Sequence, residues 1–173
     1  MKYSNDQLLK MYVDMVNART YEEVTLDKLG EGELDYGAWH MALGEEATQV
    51  GCLSALGPHD FYAPTHRCHA AMSLKLDKRK FTAECLCKKD GYAGGKAASV
   101  HISSFEEGVI AVNGILGAGM PIAVGFALSQ KRQGKDSVVV AVTGDAASNE
   151  GNFYEAINLA GILHAPIVFF IEN

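Results

Sequence analysis

The chain predicts an α/β fold, a parallel sheet flanked by helices, and three observations carry that expectation. Ser137–Thr143 (SVVVAVT) and Pro166–Ile171 (PIVFFI) are short, uninterrupted apolar runs rich in β-branched or aromatic residues. That is the pattern of strands buried on both faces of a parallel sheet. Between them Phe153, Ala156, Ile157 and Ala160 recur at i, i+3, i+4 and i+7, one face of a helix. A strand–helix–strand crossover runs its strands parallel and puts both C-terminal ends on one sheet edge. Asp145, Asn173 and the N-terminus of the intervening helix therefore share that edge, where ligands of open α/β sheets bind. A carboxylate and an amide oxygen are hard ligands for Mg²⁺ or Ca²⁺, and a helix N-terminus attracts phosphate. The edge reads either as a metal-bridged diphosphate site or as polar strand ends that face water.

Composition bounds what surrounds this unit. At 173 residues, 48% of them apolar, the chain has the size and core of a single domain, 1–173. A formal net charge of −6 argues against general nucleic-acid binding. No stretch offers the run of about 18 apolar residues that a membrane span needs. Met1-Lys2-Tyr3 leads straight into an amphipathic pattern, without a signal-peptide core. Cys52, Cys68, Cys85 and Cys87 form no C-x-x-C pair, and Cys85-x-Cys87 is poor zinc spacing. Reduced thiols and a cytoplasmic location follow as expectations.

In chain order, Asn5 to about Lys28 predicts a helix capped by Ser4 or Asn5. Leu8, Leu9, Tyr12, Met15 and Val16 form its apolar face, and Arg19, Glu22 and Glu23 its solvated side. Gly30-Glu31-Gly32-Glu33 breaks it. A loop with Tyr36, Trp39 and His40 enters a second helix, ending near Leu56, that turns Ala47, Val50 and Leu53 inward. His40 reads as a packed loop histidine or as a functional one. Asp60–Ala63 predicts a short strand that delivers Thr65-His66-Arg67-Cys68-His69. An arginine grips phosphate bidentately, and a flanking histidine adds a further donor. Met72–Lys89 is helical in part, with Lys75, Lys78, Arg79, Lys80, Lys88 and Lys89 as a solvated basic face. Gly91–Val112 is a long loop, a length often tied to function, with His101 as its brace. Asn113-Gly114-Ile115-Leu116-Gly117 precedes a helix of small residues from Ile122 to Leu128. Its glycines permit close backbone approach but lack dinucleotide-fingerprint spacing. Ser148 or Asn149 is expected to cap the helix after Asp145.

Together these stretches resemble a known family. Gly144-Asp145-Ala146-Ala147-Ser148-Asn149-Glu150-Gly151, with Glu172-Asn173 at the next strand end, is similar to the thiamine-diphosphate motif. The Asn149-x-Gly151-x-x-x-Glu155-Ala156 form resembles that of the alpha subunit of 2-oxo-acid dehydrogenase E1 components. These include pyruvate, branched-chain and acetoin dehydrogenases. Gly44-Glu45-Glu46-Ala47, Thr65-His66-Arg67-x-His69 and Asn113–Gly117 agree in order. The resemblance covers the whole chain. It implies the N-terminal part of such a subunit, as a fragment, a truncated form or the product of a split gene.

The resemblance also implies roles. His40 lines the reaction centre, His66 and Arg67 hold the diphosphate of thiamine diphosphate, and the backbone of Gly114 and Leu116 hydrogen-bonds its aminopyrimidine. Asp145 ligates Mg²⁺, and Ala146 and Ala147 give backbone contacts to the diphosphate. Partners implied are a beta subunit supplying an activating glutamate, an α2β2 assembly and a lipoyl-bearing E2 component, with a 2-oxo acid or acetoin as substrate. His66, where many pyruvate enzymes carry tyrosine, leans toward acetoin-type members. Two departures stand out. Ala146 occupies a usual glycine position, tolerable only without positive φ. Asn173 aligns with the first asparagine of the motif's pair, whereas the metal ligand is the second. A split transketolase-like subunit and a non-catalytic assembly partner that retains the fold are the alternatives.

Overall fold

The computed structural model describes residues 3–31 and 39–173. The chain forms two compact units that interleave in sequence. Met1–Ala55 with Arg67–Ser99 makes the first, and Leu56–His66 with Val100–Asn173 makes the second. Gly32, Glu33, Tyr36 and their neighbours in the predicted loop lie outside the described residues.

The first unit is helical. Helix α1 spans Asn5–Gly30, α2 Glu46–Ser54, α3 His69–Lys75 and α4 Lys78–Cys85. Ser4 starts α1 through a capping box, its Oγ accepting the Gln7 N–H at 3.2 Å while Gln7 Oε1 accepts the Ser4 N–H at 2.8 Å. The apolar face expected to be buried is not: Leu8, Leu9, Tyr12 and Val16 are exposed. Helix α1 instead packs through a small residue, Ala18, against Ala42 and Ala70. The close approach brings Glu22, expected in solvent, to complete burial, where it accepts the Ala42 N–H at 3.1 Å. Burial pushes the Glu22 carboxyl above its ordinary value, despite that bond. Val50 of α2 is buried as expected, but Ala47 is exposed, and Glu46 and Gln49 are buried instead. Lys78, Arg79 and Lys80 are solvated, as expected.

Glu84, near the end of α4, organises the loop that follows. Its fully buried carboxylate accepts N–H groups from Ala93 at 2.7 Å, Gly95 at 2.9 Å and Ala97 at 2.7 Å. Gly91 is obligatory there, because a Cβ would lie 2.6 Å from the Glu84 backbone nitrogen. Burial raises the Glu84 pKa, but the N–H donors outweigh it and hold the group below its ordinary value. The stability this contributes is present above the unfolded-state carboxylate pKa, about 4.3, and is lost as pH falls through the lower folded value. Glu84→Gln should therefore destabilise by about 2–4 kcal/mol at pH 7, given ~1–3 kcal/mol per compromised buried donor or acceptor. Thermal melts of both proteins from pH 7 down to pH 3 should converge. A gap independent of pH would mean that Glu84 acts through packing alone.

The second unit holds the sheet. Strands β1 (Phe61–Ala63), β2 (Val139–Gly144) and β3 (Ile167–Glu172) pair in parallel in that order. Helix α5 runs over Gly119–Arg132, longer than Ile122–Leu128, with Pro121 in its first turn, where a missing N–H is harmless. Helix α6 spans Gly151–Leu163 and ends at His164, left-handed at φ +50°. Phe61, Met120, Ala123, Val124, Ala127, Ala141, Phe153, Ala156 and Ala160 make the core. Ile157 is on the rim, and β3 is less buried than expected, with Val168 and Ile171 exposed. Among the described residues β3 pairs with β2 alone and forms an edge of the sheet. Asp60 fixes the register of β1, its carboxylate accepting the N–H groups of Gly57 and Val138 at 2.7 Å each.

Candidate functional site at the sheet edge

The register of the sheet decides what meets at its C-terminal edge. Gly144 of β2 lies opposite Glu172 of β3, and the Asp145 N–H donates to the Glu172 carbonyl at 3.2 Å. Asp145 and Asn173 thus leave adjacent strands side by side. β1 runs in the same direction, so its end sends Pro64, Thr65 and His66 toward that edge. The segment around Val109 runs parallel to Tyr62, with Ile110 N–H donating to the Tyr62 carbonyl at 3.0 Å. It delivers Asn113–Gly117 there too.

The turn after β2 is built differently from the capping expected. Ser148 and Asn149 do not cap α6; Ser148 Oγ at 2.6 Å and Asn149 Nδ2 at 3.1 Å both donate to the Asp145 carbonyl. They tighten a 3₁₀ turn, Ala147–Asn149, and α6 begins after Glu150 without a side-chain cap. The Asp145 carboxylate stays exposed while its backbone is tied on three sides. Ala146 adopts φ −64°, ψ −44°, so the methyl that replaces hydrogen costs no backbone strain.

The glycine loop abuts this turn. Asn113 folds it as an Asx turn, with Oδ1 accepting the Ile115 N–H at 2.9 Å and Nδ2 donating to the Ala111 carbonyl at 2.9 Å. Gly117 has φ +78°, and a Cβ there would be 3.3 Å from the Glu150 side chain. Gly114 is exposed, and a Cβ on it would lie 3.7 Å from His101 Cε1. His101 is exposed rather than a packed brace.

His40 and Arg67 belong to the first unit, where the fold brings their segments together. The His40 carbonyl accepts from His69 Nδ1 at 2.9 Å, and the Met41 carbonyl lies 3.4 Å from Arg67 Nη1. His69 is buried, stacked on the Trp39 indole at a centroid distance of 4.0 Å. Gln49, also buried, donates from Nε2 to the Arg67 carbonyl at 3.1 Å and accepts the Ala71 N–H at 3.1 Å. The supporting roles of Gln49 and His69 escaped sequence reasoning. The one available signal was the pairing of an inward helical amide with His-x-x-His spacing. Glu46 is clamped by Arg19 through two bonds, at 2.7 and 2.9 Å. The Arg19 bond chiefly holds its carboxyl below the ordinary range. Among the described residues, no group of three or more His, Cys, Asp or Glu side chains forms a metal-binding cluster.

The second unit is thus a parallel α/β sheet whose C-terminal edge gathers an exposed aspartate, a tight turn and a glycine loop. The sequence profile of the dehydrogenase E1 component family matches residues 14–173, and the chain belongs to that family, whose domain has a thiamine-diphosphate-binding fold. It is 40% identical over 169 residues to the acetoin:2,6-dichlorophenolindophenol oxidoreductase alpha subunit of Cupriavidus necator, covering 97% of this chain and 50% of that protein. The Bacillus subtilis protein of the same name is 35% identical over 174 residues, covering 100% and 52%. The mitochondrial pyruvate dehydrogenase E1 alpha subunit of Chaetomium thermophilum is 34% identical over 174 residues, covering 100% and 42%. The chain therefore spans about half the length of these relatives and corresponds to their N-terminal half. Among the described residues no helix is long and apolar enough to cross a membrane.

Proposed function

We propose that this chain binds the Mg²⁺-diphosphate end of thiamine diphosphate, as part of the alpha subunit of a 2-oxo-acid or acetoin dehydrogenase. The observation that carries the reading is the edge at Gly144–Ala147. An exposed carboxylate on a rigid turn is what a cation bridging two phosphates requires, and Mg²⁺ needs only one or two protein carboxylates beside phosphate oxygens. The residues fit the group, since Ala146 takes a helical φ and its methyl adds no strain. Asp145 would ligate the metal. The first N–H groups of the 3₁₀ turn, which have no acceptor within it, would face the diphosphate through Ala146 and Ala147. His66 and Arg67 would add donors, Gly114 and Leu116 would present backbone to the aminopyrimidine, and His40 would offer a proton-carrying ring at the reaction centre. Thiamine diphosphate, when bound, supplies the carbon nucleophile and the electron sink for cleavage beside a carbonyl.

The assembly that follows is α2β2, with a beta subunit contributing the activating glutamate and a lipoyl-bearing E2 receiving the acyl group. The two oxidoreductase relatives named for acetoin favour acetoin-type substrates, in line with His66. Calorimetric titration of thiamine diphosphate and Mg²⁺ into the chain with its beta partner tests the reading. Metal-dependent, saturable binding is expected, and its absence would leave a non-catalytic assembly partner. Arg67→Ala should raise the cofactor Kd about ten- to a hundredfold, the loss of a charge-assisted bond worth ~1.5–3 kcal/mol. A change confined to substrate KM would move Arg67 to the substrate pocket.

A further inference from the structure

We infer that Glu22 is a positioning residue for the proposed reaction centre, holding from α1 both the segment that carries His40 and the turn that carries Arg67. The inference rests on the roles given to His40 and Arg67 above. All the groups involved belong to the first unit.

The buried side chains of α1 are Ala18 and Glu22, one turn apart on one face. The small Ala18 packs against Ala42 and Ala70, and this close approach lets Glu22 reach the same two segments. Glu22 Oε2 accepts the Ala42 N–H at 3.1 Å, just beyond His40 in the chain. Burial opposes the charged form of the carboxyl, while the Ala42 amide, the Ala70 amide and the Trp39 indole favour it. Trp39 precedes His40, and Ala70 opens α3 just beyond Arg67. One carboxyl thus meets donors from both functional segments.

A carboxyl with no exposed surface is a costly occupant of this place, where an apolar side chain of similar volume often serves stability as well or better. What the carboxyl adds is direction, because its donors satisfy it in one arrangement of the two segments. Neighbouring bonds fix the same stretch. His69 Nδ1 donates to the His40 carbonyl at 2.9 Å, and its ring stacks on Trp39. The Gly44 N–H donates to Glu46 Oε1 at 3.1 Å, and Arg19 of α1 holds Glu46 in turn. Two of these ties lead to α1, directly through Glu22 and indirectly through Arg19. Loosening them displaces His40, and a misplacement of about 1 Å costs roughly a hundredfold in rate.

The test compares two variants in a full-length alpha chain with its beta partner. Glu22→Gln keeps one acceptor oxygen, whereas Glu22→Leu keeps much of the volume and no acceptor. Turnover at saturating cofactor and substrate should fall about 10–100-fold in Glu22→Leu and less in Glu22→Gln. That order should follow the acceptors retained and not the melting temperatures. Arg19→Gln, at a half-exposed side chain, should lower turnover in the same sense in a folded protein. Ring NMR signals of the histidine-labelled 173-residue chain give a readout that needs no cofactor. The His40 and His69 signals should move in Glu22→Gln, and those of His101 and His164 should stay. Wild-type turnover in variants with lowered melting temperatures would leave Glu22 a stabilising residue alone and overturn the proposal, as would unmoved His40 signals. Displaced His40 signals beside a wild-type assembly that binds no cofactor would sink the cofactor reading while upholding the hold of Glu22 on the His40 segment.

Discussion

Asp145→Ala should abolish Mg²⁺-dependent binding of thiamine diphosphate while leaving the fold intact. Both halves of that expectation come from the turn. The backbone of Asp145 is tied by its N–H to Glu172 and by its carbonyl to Ser148 and Asn149, and none of these bonds uses the carboxylate. The side chain is exposed, so its loss opens no cavity. What is lost is the charged metal ligand. Removing even an outer partner of a metal ligand typically costs about 10–100-fold in affinity, so loss of the ligand itself should exceed about a hundredfold. Calorimetry on the assembled enzyme, with Mg²⁺ and then with a chelator, measures it. Unchanged affinity would sink the metal assignment, and a lowered melting temperature would recast Asp145 as structural.

The second large effect is all or none: the 173-residue chain alone should show neither decarboxylation nor accelerated exchange of the cofactor's C2 hydrogen. Activation needs a carboxylic acid at the far side of the aminopyrimidine, which the proposed assembly takes from the beta subunit. Five of the glutamates among the described residues have other contacts. Glu46 is held by Arg19 and the Gly44 N–H, Glu84 by three loop amides, and Glu22 is sealed beneath Ala42. Glu45 leans on Gln49 at 3.4 Å, and the Glu150 side chain packs at Gly117. A full-length alpha chain with its beta partner should show both activities. C2 exchange accelerated by the solitary chain would mean that a carboxylate within these 173 residues reaches the ring.

The strand–helix–strand unit was legible because β-branched runs and a 3.6-residue period are local signals, and its parallel register follows from chain connectivity. The position of Asp145 was legible for the same reason. The first unit was much less so. The pattern Leu8, Leu9, Tyr12, Val16 reports an apolar face without saying what covers it, and α1 meets its neighbours through Ala18 instead. Glu22 reads as a surface charge and Glu84 goes unnoticed, because their partners are backbone N–H groups, which no residue type announces. Ser148 and Asn149 were assigned to the right turn with the wrong direction of bonding. Cap-forming residues serve a preceding carbonyl as readily as a following N–H.

The Asp60–Val138 bond joins positions 78 residues apart in the chain. That separation fixes an order of events in synthesis. At about 5–20 residues per second, Phe61 and Tyr62 leave the ribosome roughly 4–16 s before the strand they pair with exists. Closing so long a loop is slow compared with forming the β2–α6–β3 crossover, whose paired strands are much nearer in the chain. For those seconds two aromatic residues that end at 9% and 0% exposure stand in water. The nascent chain therefore exposes two aromatic side chains at β1 until β2 has been made.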